Sequence, residues 1–192
     1  RWLAELDHRG VLYSKDQDWM AVLEPAVRPL DWVYHGLPGD TCTIENAAVA
    51  LRSARFPLIV DPEGQAEEWL AETYKTVGLR VAHCKDTDIA SQVARWDSTP
   101  LVVQMDHQMS ARECSELFQG LRLHAEHAAE RWSEATSHTR VFLHYRVNNP
   151  LVPAAIAPLC TLIWFGSGAA SIKERVLGTV VSMTLNDNGT IV

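Results

Sequence analysis

Five short apolar runs mark the middle of this chain, and the segments between them read as helix or polar linker, which leaves few folds open. The runs are Phe56 to Val60, Leu79 to Cys84, Leu101 to Met105, Val141 to Val147 and Leu159 to Phe165. Near-continuous apolar strands that alternate with helices predict a parallel sheet covered on both faces, an α/β fold of three layers. The fifth run is apolar at successive positions, so it is expected inside the sheet. At 192 residues and 47% hydrophobic content the chain is long enough to bury one sizeable core.

The helices announce themselves by their starts. Asp40 or Thr41 offers an N-cap to a segment whose Ile44, Ala47, Ala48 and Leu51 share one face, ending near Arg55. Ile89, Val93 and Trp96 recur at helical spacing after Asp86 or Asp88. Ser110 and Glu113 form a capping-box pattern ahead of Cys114, Leu117, Phe118 and Leu121, and Ser171 with Glu174 repeats it before Val176 and Leu177. Upstream, Trp2, Leu3 and Leu6, then Trp19, Val22 and Leu23, suggest leading helices, while Pro25, Pro29, Pro38 and Gly39 read as loop. The expected division is a lead-in over 1–40, an α/β body over 41–185 and a tail over 186–192. With no initiator Met and a last strand-like run at Val180 to Leu185, both ends read as cut from something longer.

The first apolar run leads straight into Asp61-Pro62-Glu63-Gly64-Gln65-Ala66-Glu67-Glu68 and then a helix through Trp69 and Leu70, the strand, loop and helix of a phosphate-binding loop. The residue types do not suit the task. Laid on GxxxxGK[ST], the first Gly is Asp61, the second is Ala66, the Lys is Glu67 and the magnesium-holding hydroxyl is Glu68. A working loop needs glycines so that backbone N–H groups approach the phosphates, and a cation to neutralise them. Opposed unit charges about 4 Å apart attract by roughly 4 kcal/mol at an effective dielectric of about 20, and reversing one sign costs on the order of twice that. Tight ATP binding at such a loop is therefore not expected. The third run should end in two acids that hold magnesium, but those positions are Gln104 and Met105; Asp106 falls one residue further on. A one-residue slip turns a strand side chain to the opposite face.

The 24 acids against 17 Lys and Arg give a net charge of -7, which supplies no electrostatic attraction for nucleic acid or an anionic membrane. Cys42, Cys84, Cys114 and Cys160 lie far apart without metal or redox spacing and read as free thiols in a reducing compartment. No apolar run reaches the roughly 20 residues that a membrane span needs. A soluble, intracellular protein is the expectation.

The wording of the chain from residue 36 to 69 resembles one family. Gly36-Leu37-Pro38-Gly39-Asp40, Glu45-Asn46, and Arg55-Phe56-Pro57-Leu58-Ile59-Val60-Asp61-Pro62-Glu63-Gly64-Gln65-Ala66 with Trp69 are similar to the fifth AAA+ module of dynein heavy chains. Asn148-Asn149-Pro150 matches that module's sensor-like strand end, and Leu159 to Phe165 with Val176 to Val181 match its later elements. The departures are Glu63 for the family's Gln, Glu67 for its usual Asn, and a helical-looking segment over 120–140 where relatives place a β-hairpin. The resemblance implies an AAA+ α/β/α sandwich with a five-stranded parallel sheet. It implies a non-catalytic module that binds no nucleotide or other cofactor and passes conformational change between neighbouring modules, the linker arm and the stalk with its buttress. The parent would be a microtubule motor ATPase of the cytoplasm, cytoskeleton or axoneme.

Other constellations carry bland readings. His124 and His127 with Glu126 between them lack the HExxH order of a metal site and read, with Glu130 and Glu134, as a solvated helix face. Gly166 to Ser171 follows an apolar strand with Asp187 downstream, the layout of a dinucleotide turn, and supports the alternative of a nucleotide-dependent enzyme. Ser171 in place of the third Gly makes a plain turn the better reading. Trp19, Trp32, Trp69, Trp96, Trp132 and Trp164 are expected to fill the core.

Overall fold

The computed structural model describes residues 8–10, 29–95, 99–130 and 140–166. In chain order the elements are α1 (Pro29–Tyr34), α2 (Thr41–Arg52), β1 (Phe56–Val60), α3 (Gln65–Thr73), β2 (Arg80–His83), α4 (Ile89–Ala94), β3 (Leu101–Gln104), α5 (Ala111–Glu130), β4 (Val141–Tyr145), a 3-10 turn (Ala157–Leu159) and β5 (Cys160–Trp164). The five strands form one sheet in the order β2-β3-β4-β1-β5, and every pairing is parallel. This is the predicted α/β class, consistent with an AAA+ fold.

Alternation along the strands divides the core between the two faces. Leu58, Val60, Val103, Leu143 and Tyr145 point one way, against Ile89 and Val93 of α4 and Leu117 and Leu121 of α5. Ile59, Val102, Phe142 and Ile163 point the other way, against Trp32 of α1, Ile44, Ala47 and Ala48 of α2, and Trp69 and Leu70 of α3. Three layers result.

Local sequence sets the helix starts. Asp40 caps α2, its carboxylate accepting from the Thr43 amide at 3.0 Å and from the Thr43 hydroxyl at 2.7 Å. Ser110 and Glu113 close the capping box of α5: the Ser110 amide donates to the Glu113 carboxylate at 2.6 Å, and the Glu113 amide donates to the Ser110 hydroxyl at 3.3 Å. The segment from Pro29, expected as loop, is instead a helix. Proline is well placed there because the first helical position has no intrahelical use for an N–H. Trp32 and Leu37, 2% exposed each, pack into the core rather than leading up to it.

The fifth run differs from expectation. β5 is an edge strand hydrogen-bonded only to β1 among the described residues. Its Leu162 is 66% exposed and Trp164 is 46% exposed. Apolarity on both faces reports a side chain's affinity for burial, not which neighbour arrives to bury it. The core-filling role holds for Trp32 and Trp69, not for Trp164. The leading helices, Trp19, Trp96, Trp132, and the Ser171 capping pattern lie outside the described residues.

The contact between α4 and α5 depends on Gly120. A Cβ there would meet the Ala90 carbonyl oxygen at 2.8 Å and the Ala90 Cα at 3.0 Å. Alanine in place of glycine gains about 1 kcal/mol of helix propensity, whereas overpacking against a fixed backbone costs about 1–3 kcal/mol. Gly120→Ala is therefore expected to destabilise the chain by about 1 kcal/mol net in a urea titration, with the slope unchanged. A gain in stability would show that α5 is free to move away from α4.

Candidate functional site

The loop after β1 lies at the carboxyl ends of the parallel strands, where open α/β sheets place ligands. Its backbone keeps the shape of an anion cradle. Gly64, with φ +79°, stands at the N-cap of α3 in the left-handed region that favours glycine. The amides of Gln65, Ala66 and Glu67 then point out of the helix start.

Those amides are already taken. The Asp61 carboxylate, fully buried, accepts from the Gln65 amide at 3.0 Å, the Ala66 amide at 2.8 Å and the Glu67 amide at 3.4 Å. A fourth donor comes from β4: His144 Nε2 lies 3.2 Å from Asp61 Oδ2, and His144 is 1% exposed. A carboxylate only accepts, so Nε2 carries the proton. The Asp61 backbone is held as well, its amide donating to the Tyr145 carbonyl at 2.8 Å.

Glu67, at the lysine position, faces the ends of β3 and β4. Its Oε1 accepts from Gln104 Nε2 at 3.1 Å, and its Oε2 lies 3.7 Å from Arg146 Nη1 and 3.9 Å from His144 Nδ1. Glu67 Oε2 and His144 Nδ1 are buried atoms without a hydrogen-bond partner, so the gap between them leaves both unsatisfied. The Arg146 guanidinium lies over Gly64, 2.7 Å from where a Cβ would stand. Glu68 is exposed, and Glu63 is exposed with its carboxylate accepting from Gln65 Nε2 at 2.8 Å. Pro62, between Asp61 and Glu63, is half-buried.

The remaining sequence-based site residues scatter. Gln104 reaches the loop, but Met105 turns into the core at 7% exposure. Asn148 and Asn149 are exposed, beyond the end of β4 at Tyr145; the side chains that reach the loop from this part of the chain are those of His144 on β4 and Arg146 just after it. Sequence reasoning passed over both. A histidine inside an apolar strand was the available signal, since a buried imidazole needs a partner.

Asp106 belongs to a different cluster. Its carboxylate pairs with Lys85 and lies 3.3 Å from His83 Nε2, and its amide donates to Cys84 Sγ at 3.3 Å. His83, Cys84 and Asp106 thus offer three metal-type ligand atoms within 4.8 Å of one another. The cluster already holds a cation, the Lys85 ammonium, whose hydrogen bond keeps the Asp106 carboxyl below its usual range. His83 Nδ1 accepts from the Lys85 amide at 3.2 Å, so the proton is on Nε2, the nitrogen a metal would need bare. Burial pushes the Cys84 thiol up, away from the thiolate that metals bind.

One of the bland readings changes in part. His124 is not on a solvated face: it is 4% exposed, and its Nδ1 donates to the Val93 carbonyl at 2.9 Å, tying α5 to α4. Glu126 and His127 are exposed as expected, Glu126 pairing with Arg122 at 3.2 Å. The start of the 120–140 segment is helix through Glu130, while Glu134 lies outside the described residues. At Gly166 the space a Cβ would need is filled by the Trp164 indole. The rest of that turn, and Asp187, lie outside the described residues. All four cysteines are free, and burial raises the Cys160 thiol to about 11. No helix among the described residues is long and apolar enough to cross a membrane.

With this geometry in view, residues 30–106 match the family described as the ATP-binding dynein motor region. Over 161 residues, 79% of this chain, the sequence is 27% identical to cytoplasmic dynein 2 heavy chain 1 of Homo sapiens. Over 188 residues, 94% of the chain, it is 24% identical to dynein axonemal heavy chain 1 of Rattus norvegicus. A shorter stretch of 74 residues, 38% of the chain, is 36% identical to the cytoplasmic dynein heavy chain of Dictyostelium discoideum. The chain corresponds to only 4% of the length of the first two relatives.

Proposed function

We propose that this chain is a non-catalytic AAA+ module of a dynein heavy chain, the fifth of the motor ring. In this reading it binds no nucleotide and transmits conformational change between the neighbouring modules, the linker and the stalk with its buttress. Its partners are those parts of the same heavy chain, and through the parent's stalk the microtubule. Its place is the cytoskeleton of the cytoplasm or of an axoneme.

One observation carries the reading: the three amides that a phosphate would need are saturated by the buried Asp61 carboxylate. Supporting it, the lysine position bears Glu67 and the acid position of β3 bears Gln104, and these two side chains bond to each other. A triphosphate entering this loop would meet two carboxylates and no lysine. The rigid sheet and its covered faces remain, and those suffice to hold neighbours at fixed angles.

The test is thermal. A ligand present at 100 times its dissociation constant stabilises a fold by about 2.7 kcal/mol, which for a domain of this size raises the melting temperature by roughly 5–11 °C. Millimolar ATP or ADP with magnesium is expected to raise it by less than a degree. A dose-dependent rise, or phosphate release above a buffer blank, would overturn the proposal. NAD in the same assay tests the dinucleotide alternative.

A further inference from the structure

We infer that Asp61 is the resident ligand of this loop, a built-in anion that occupies the phosphate seat and staples the ends of β1 and β4 as a bound nucleotide would. The inference rests on the proposed function and adds to it a mechanism: the loop is not a ruined anion site but a filled one.

Four features support this. The backbone still forms a cradle, with Gly64 left-handed at the head of a nine-residue helix. The anion in it is complete, one carboxylate accepting from three successive amides. An independent element aims at the same seat: His144, on β4 and 1% exposed, presents Nε2 to Asp61, while its Nδ1 has no hydrogen-bond partner. A core that only needed an apolar strand there would not bury an imidazole with one nitrogen unsatisfied. Finally, Glu67 Oε2 stands 3.9 Å from that same nitrogen and 3.7 Å from the Arg146 guanidinium, so a second carboxylate lies beside the seat. Together these contacts hold the loop in one liganded shape.

If Asp61 is the ligand, removing it should uncover a site for a tetrahedral oxyanion. Asp61→Gly restores the first glycine of the GxxxxGK[ST] pattern and leaves the three amides and His144 Nε2 without their acceptor. Glu67 still opposes an incoming anion, and Asp61→Gly with Glu67→Lys reverses that charge, so the double variant is expected to bind phosphate about ten-fold tighter or more.

The experiment titrates inorganic phosphate into the 192-residue chain and its variants, with chloride at matched ionic strength as control, reading melting temperature and the 15N-resolved amide signals of residues 65–67. In the parent, millimolar phosphate should move none of the three signals. In Asp61→Gly the melting temperature should fall, then recover by several degrees with phosphate while all three signals shift together. ADP in place of phosphate, in the double variant, separates a seat for free phosphate from one that also accepts a nucleotide. Phosphate shifts in the parent overturn the inference, and that arm needs no variant to fold. A folded Asp61→Gly that responds to phosphate no more than to chloride also overturns it. Should Asp61→Gly not fold, Asp61→Ser, small enough to vacate the seat yet able to cap, is read by the same criteria. The two claims fail differently: ATP binding by the unsubstituted 192-residue chain sinks the proposed function, whereas phosphate-blind variants beside an ATP-blind unsubstituted chain sink only the resident ligand.

Discussion

Replacing Asp61 with Ala lowers the melting temperature of this chain by roughly 6–20 °C in ordinary buffer. The carboxylate is fully buried and is the acceptor for three backbone amides and the His144 ring. Alanine removes the cap of α3 and leaves His144 without its partner. Breaking one side of a buried pair costs about 3–5 kcal/mol, and a chain of this size moves about 2–4 °C per kcal/mol, which gives the quoted range. A double-mutant cycle separates packing from pairing. His144→Ala is also destabilising, and the double variant should lose at least about 1 kcal/mol less than the sum of the singles, as contacting residues do. Glu68→Ala, which removes another carboxylate seven residues after Asp61 but an exposed one, is the contrast and should stay within about 0.5 kcal/mol of the unsubstituted chain. An Asp61→Ala chain melting within a degree of the parent would mean that water satisfies the amides as well as the carboxylate does.

The contrast between Asp61 and Glu68 also marks what the sequence reveals and what it hides. Periodicity and caps reveal elements: all five strands fall on the five apolar runs, and Asp40 and the Ser110–Glu113 box start helices where expected. The loop's position between β1 and α3 is equally legible, because strand, turn glycine and helix follow in order. The direction of each side chain is not. Read against a glycine pattern, Asp61 is a loss and Glu67 and Glu68 are two charges in the seat. In the fold the seat belongs to Asp61, which bends back onto the helix start, while Glu68 faces solvent. That outcome depends on the turn through Pro62 and Gly64, whose φ of +79° no residue name specifies in full. The partners on β4 and just after it are hidden for another reason: His144 and Arg146 lie 83 and 85 residues from Asp61 along the chain, and only the sheet order brings β4 beside β1. Sheet order likewise decides that β5 is an edge, which its composition contradicts.

Trp69 gives the second large effect and tests whether the loop's helix is held from below. Its side chain is fully buried beneath the loop, edge-on to Trp32 with ring centroids 5.8 Å apart and stacked near Phe165 at 6.0 Å. These contacts tie α3 to α1 and to the end of β5, so Trp69 sets how firmly the amides of residues 65–67 are presented to Asp61. Truncating a buried Trp to Ala costs about 3–5 kcal/mol, again roughly 6–20 °C for a chain of this size. Amide exchange at residues 65–67 should speed up with it, because these amides stay protected only while α3 is held in place against the Asp61 carboxylate. Phenylalanine makes the prediction sharper. The Trp69 indole N–H is buried without a hydrogen-bond partner, and such a group costs about 1–3 kcal/mol. Trp69→Phe removes that penalty while keeping most of the ring area, so the loss of packing and the relief of the N–H oppose each other. The Phe variant is expected within about 1 kcal/mol of the parent by urea titration, far from the Ala variant. Equal losses in the two variants would mean that the full indole shape, rather than apolar area, holds α3 against the sheet.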